Sequence, residues 1–178
     1  MKTIVVYYSR KGSNGYLAQK ISNALSCEIE EIRPRLNVFM FFLMDIHLGI
    51  KPLKRNIKDY ERVILCGPVW VGRFIAPLRC FVKKYKKQIN QLIFVTCCGS
   101  TFEKKDDKFG HGLVFNKVKE LANGRVKHCE AFPIDLVLSE DKKDDDAAFM
   151  ETHLNDSNFK GEIQERFDNF IQTINSIN

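Results

Sequence analysis

Little in this sequence would take the chain into a membrane. Its longest apolar run, Val38 to Met44, falls far short of the roughly 20 residues that a spanning helix needs. Met1-Lys2-Thr3 leads directly into a short β-prone run, without the basic, apolar and small-residue zones of a signal peptide, so a cytoplasmic protein is expected. The six cysteines (Cys27, Cys66, Cys80, Cys97, Cys98, Cys129) form no C-x-x-C. The four histidines (His47, His111, His128, His153) are widely spaced, and no metal-ligand pattern results. Reduced, mostly buried thiols are the expectation. A bridge between adjacent Cys97 and Cys98 would be strained, because neighbouring strand side chains point to opposite faces. There is no G-x-x-x-x-G-K-[ST] phosphate loop and no G-x-G-x-x-G fingerprint.

What is present fits one globular domain over residues 1–178: 44% hydrophobic and 28% charged residues. The formal charge of +6 is spread along the chain, with one denser run at Arg79, Lys83, Lys84, Lys86 and Lys87. On a helix such a run reads as a solvated face. The positive field also favours an anionic partner. No nucleic-acid-binding motif accompanies the charge, and no nucleic acid is expected.

Apolar runs alternate with helical spacings along the chain. Ile4 to Tyr8 is continuously apolar, as in a strand covered on both faces. Leu17, Ala18, Ile21, Ala24 and Leu25 then recur at helical intervals. Val63 to Cys66 is a second buried run, and Pro77 opens a helix marked by Leu78, Phe81, Val82 and Tyr85. Leu92 to Cys98 is a third run, followed by the helical face Val114, Val118, Leu121 and Ala122. Ala131 to Leu138, interrupted by Pro133, predicts an edge or bulged strand. Ile163, Phe167, Phe170, Ile171 and Ile174 mark a last helix, and a short strand around Cys27 to Ile32 completes five. This alternation predicts an α/β protein, a parallel sheet with helices on both faces. Ligands of such sheets sit beyond the carboxyl ends of the strands, so function is expected in the loops after Tyr8, Cys66 and Val95. Asn37 to Pro52 is apolar enough to predict a helix packed over the sheet, or else a partly exposed lid or a surface for an apolar partner. Ser139 to Asn158 is acidic and reads as a loop or short helix.

Two loops carry distinctive residues. In the first, Ser9-Arg10-Lys11-Gly12-Ser13-Asn14, backbone N–H groups at a helix start can converge on an anion, with hydroxyl donors, cations and a permissive glycine around them. A capped turn without ligand reads equally well from these residues alone. In the second, Gly67 to Phe81, the sole tryptophan, Trp70, stands at the mouth of the sheet. There it can stack on a planar ring, with the backbone of Val69 to Gly72 beside it.

With its first loop, with Pro68-Val69-Trp70-Val71-Gly72 and Pro77-Leu78-Arg79-Cys80-Phe81, and with Thr96-Cys97-Cys98-Gly99-Ser100 in third place, the chain resembles the flavodoxin-like family. The resemblance implies a three-layer, doubly wound, five-stranded parallel sheet in the order 2-1-3-4-5, and non-covalently bound FMN. It assigns phosphate contacts to Ser9, Arg10, Lys11, Gly12, Ser13 and Asn14. It places the isoalloxazine against Pro68, Val69, Trp70, Val71 and Gly72, and the pyrimidine edge against Cys98, Gly99 and Ser100. Electron transfer to a redox partner protein, or reduction of a small-molecule acceptor, is the function implied. A flavin-free binding or regulatory module on the same fold is the alternative. No catalytic side chain is identified; His111 is a minor candidate for proton transfer.

Overall fold

The computed structural model describes residues 1–36, 49–143 and 145–177. The expected helix or lid over Asn37 to Pro52 lies almost wholly outside them. Five parallel strands form the main sheet: β1 (Thr3–Tyr7), β2 (Glu28–Glu31), β3 (Arg62–Cys66), β6 (Gln91–Cys98) and β7 (Val126–Pro133). Their order is β2-β1-β3-β6-β7, which, numbering the sheet strands alone, is the anticipated 2-1-3-4-5. Between β3 and β6 stands a two-stranded antiparallel hairpin, β4 (Val69–Trp70) and β5 (Arg73–Phe74).

The α-helices among the described residues are α1 (Ser13–Ala24), α2 (Ala76–Tyr85), α3 (His111–Ala122), α4 (Asp146–Glu151) and α5 (Glu162–Ser176). Pro77 lies in the first turn of α2, where its missing N–H costs nothing. The sequence placed the last strand at Ala131 to Leu138. It runs instead from Val126 to Pro133, and a 3₁₀ turn takes over at Ile134–Val137. The fixed φ of Pro133 suits a strand end, and β7 is an edge strand, as that proline required. The acidic segment is a 3₁₀ turn at Glu140–Lys142 followed by α4.

Period-two alternation divides the sheet's side chains between two cores. Ile4, Val6, Val63, Leu65, Leu92 and Phe94 pack with Leu78, Phe81 and Val82 of α2 and Val114 and Val118 of α3. Val5, Ile64, Ile93, Val95, Cys66 and Cys97 face Leu17, Ala18 and Ile21 of α1 and Ile163, Phe167 and Phe170 of α5. Each fully buried side chain of this size contributes about 1.5–3 kcal/mol. Both faces being covered explains why the central strands are continuously apolar. No described helix is long and apolar enough to cross a membrane.

Candidate functional site

Parallel registry brings Tyr7, Cys66 and Val95 level at the carboxyl rim of the sheet. The chain leaves β1 and β3 there and β6 three residues further on, at Cys98, so their loops share one edge.

The first loop turns sharply into α1. Gly12 adopts φ +105°, and a Cβ built there would meet nothing within 4 Å, so the backbone flank is open. Ser9 Oγ accepts a hydrogen bond from Gly12 N at 3.2 Å, holding the turn. The first intrahelical acceptor is Gly12 O, bonded by Tyr16 N at 2.8 Å. The N–H groups of Ser13, Asn14 and Gly15 therefore have no intrahelical acceptor and carry the positive end of the α1 dipole.

The side chains around this turn are less free than the sequence suggested. Asn14 is buried, and its amide grips β6 instead: Nδ2 donates to Cys97 O at 3.0 Å while Oδ1 accepts from Cys97 N at 2.8 Å. Asn14 therefore offers an anion its backbone only, a correction to the side-chain role expected. Lys11 Nζ donates to Met150 O at 3.0 Å, and Ser13 Oγ accepts from Leu154 N at 3.1 Å. Tyr16 donates its hydroxyl to Asp156 at 2.8 Å. The segment running from α4 to Asp156 thus lies along the first loop, a proximity that sequence spacing does not reveal.

The second loop is the β4–β5 hairpin. Its tip residues Val71 and Gly72 both have positive φ, +52° and +65°. Such geometry matches the right-handed strand twist and favours Asn-Gly, so Val71 is strained. Trp70 packs edge-to-face on buried Tyr8, with ring centroids 6.2 Å apart, and the Arg10 guanidinium lies 5.9 Å from its ring centre. These contacts join the first and second loops. Pro68 is buried below the hairpin, Val69 and Trp70 are half-buried, and Val71 is exposed.

The third loop, 99–110, folds against that hairpin. A Cβ on Gly72 would come within 2.5 Å of Lys108 O, so the two backbones are in direct contact. At the base of the loop, Ser100 Oγ lies 2.8 Å from His111 Nδ1 and accepts from His111 N at 3.2 Å. Cys98 Sγ donates to Ser100 O at 3.6 Å. Burial pushes the Cys98 thiol up to about 12, so it stays protonated. His111 is only 2% exposed, is packed by Phe102 and Phe115, and has its pKa lowered, chiefly by burial. Its contacts with Ser100 hold the base of the third loop. Gly99 remains exposed, with open space where its Cβ would stand.

Sequence reasoning missed Tyr8 as the partner of Trp70, the hairpin itself, and the Cys98–Ser100–His111 cluster. The Val-Gly pair at 71–72 was the one local signal for the hairpin. All six cysteines are free thiols. No group of His, Cys, Asp and Glu suited to a metal ion occurs among the described residues.

Residues 4–139 match a family model described as a flavodoxin domain. No curated protein matches the chain. Among solved structures, a flavoprotein from Lactobacillus acidophilus NCFM in complex with FMN is similar at TM-score 0.60 and 18% identity, over 73% of this chain and 92% of that one. Oxidised flavodoxin 1 from Bacillus cereus aligns over 100% of both chains at TM-score 0.54 and 12% identity. The Streptococcus pneumonia TIGR4 flavodoxin aligns over 99% of both at 0.53 and 9%. At these identities the likeness is one of fold.

Proposed function

The chain belongs to the flavodoxin domain family, and from that premise we propose that its three-loop rim binds FMN and that the protein moves electrons to a redox partner or a small acceptor. One observation carries this reading: the open first turn of α1 and the Trp70 hairpin are locked together at the same rim through Tyr8 and Arg10.

The residues present fit the cofactor. The N–H groups of Ser13, Asn14 and Gly15, with the open flank of Gly12, supply an anion cradle at a helix start. Ser9 and Ser13 hydroxyls border it, and Arg10 and Lys11 add positive charge. Trp70 and the Pro68–Gly72 backbone would wall the flavin ring, with Cys98 to Ser100 at its polar edge through backbone groups. When bound, FMN supplies one- and two-electron chemistry, and the protein's part is to bind, orient and tune it. Ser100, pinned by His111, keeps the third-loop backbone in one arrangement. The basic balance of +6 favours an anionic acceptor or an acidic partner protein.

Titration of the purified protein with FMN, followed by flavin fluorescence, tests the binding. Saturable quenching at micromolar concentrations is expected. A protein that leaves flavin fluorescence unchanged would instead be the flavin-free module, a reading to which the bonded state of Lys11 and Ser13 lends some support. Steady-state oxidation of a nicotinamide cofactor with a quinone separates enzyme from carrier. A carrier shows no such turnover but exchanges electrons quickly with a reductase.

A further inference from the structure

A second feature lies at the opposite end of the sheet. Below the amino ends of β1, β2 and β3 is a cavity of about 530 Å³ whose walls include Lys2, Leu25, Glu28, Tyr60, Arg62 and Ile177. Strands of this length separate it from the three-loop rim by roughly 15 Å at about 3.3 Å per residue. A volume of this order falls within the range of small-molecule sites.

Arg62 is its notable residue. It opens β3, its backbone N–H is bonded to Lys2 O, and it is 4% exposed. Its guanidinium donates to Ile177 O, just past the end of α5. The negative end of that helix dipole offsets part of the charge on one side. Nε finds no acceptor, and no carboxylate lies within ion-pair distance among the described residues. The nearby acids are committed elsewhere. Glu28 accepts from the Tyr60 hydroxyl and pairs with Arg55 at 3.1 Å, while Glu61 is exposed and takes the Lys2 N–H at 2.7 Å. Lys2 adds a second cation over the Tyr60 ring, 4.9 Å from its centre. Glu61 offsets part of its charge from a distance, but a buried guanidinium without an ion-pair partner is costly, and an anion beside it reduces that cost.

The geometry points to a binding site for a small organic oxyanion, a carboxylate or phosphate ester held by Arg62 and Lys2 with its apolar body on Leu25, Tyr60 and Ile177. This site is separate from the cofactor rim and does not depend on flavin binding.

The test is an amide-resolved NMR titration of the full chain with acetate, butyrate and inorganic phosphate. Saturable shifts are expected at residues 2–3, 25–28 and 60–62, distinct from any that phosphate causes at the α1 cradle, with the loop after β6 unmoved. Butyrate binding more tightly than acetate identifies a carboxylate with an apolar body; phosphate binding more tightly than both identifies a phosphate ester. Arg62→Gln is expected to weaken binding at least tenfold. Should that variant fail to fold, Lys2→Gln, on an exposed residue, is expected to weaken it several-fold. If Arg62 serves only to cap α5, none of the anions produces a saturable shift, and that result overturns the proposal. So do shifts confined to the β1–α1 loop, or binding that neither substitution weakens.

Discussion

Asn14 and Cys97 are joined by two hydrogen bonds, the side-chain amide of one donating to and accepting from the backbone of the other, at 3.0 and 2.8 Å. The pair stitches the start of α1 to the end of β6 beneath the first loop. It therefore fixes how the anion cradle stands relative to the third loop.

Asn14→Ala leaves the buried N–H of Cys97 without a partner and its C=O with only the Thr96 hydroxyl at 3.3 Å. A loss of about 2–3 kcal/mol is expected, seen as a lower urea midpoint at unchanged slope. FMN affinity should fall with it, because the loops lose their common anchor. An unchanged midpoint would remove the structural role assigned to Asn14.

The hairpin tip makes opposite predictions for adjacent residues. Val71 is 56% exposed at φ +52°, so Val71→Asn relieves strain and should stabilise by about 1 kcal/mol. Gly72→Ala places a methyl group 2.5 Å from Lys108 O at a positive φ. It should destabilise by about 1–2 kcal/mol and weaken FMN binding by displacing the third loop. Thermal melts and flavin titrations of the two variants check both signs.

Thiol reactivity should follow burial. Cys66, Cys97 and Cys98 are buried, and desolvation raises the pKa of each. At pH 8 a thiol reagent should label half-buried Cys27 and Cys129 first and leave these three almost untouched until urea is added. Fast labelling of Cys98 in the native protein would contradict its placement.

His111 predicts a pH dependence. Burial lowers its pKa below 6.5 in the folded chain, helped by Arg166 on α5 and Lys105 in the third loop and opposed by the Ser100 backbone and Asp106. The unfolded state therefore binds more protons just below pH 6.5. Stability from this group is fully present above 6.5 and is lost as pH falls from 6.5 toward the folded value. His111→Asn keeps an acceptor for Ser100 without titrating. It should flatten that part of the urea-midpoint profile, and a profile unaltered by the substitution would exclude His111 as its source.

Some of this molecule was legible in order of residues. Ile4 to Tyr8, Val63 to Cys66 and Leu92 to Cys98 read as buried strands because both sheet faces are covered, and a doubly covered strand tolerates little polarity. Helices α2 and α5 were legible from their apolar spacing. The β4–β5 hairpin was not, since two-residue strands are too short to show a period. Asn14 read as a phosphate ligand because an amide near a helix start looks alike whether it faces an anion or a neighbouring strand. The same limit hid the bonds from Met150 and Leu154 to the first loop, which join residues more than a hundred positions apart.

Sequence alone determined the alternation of strands and helices, because apolar periodicity is a local property of consecutive residues. It likewise determined that three loops would meet at the carboxyl rim, since parallel strands all leave the sheet on the same side. Only tertiary packing decided which polar side chains at that rim stay available, and that Arg62 is buried beside a cavity at the far end. Burial and hydrogen-bond partners are set by whichever distant segment comes to lie alongside.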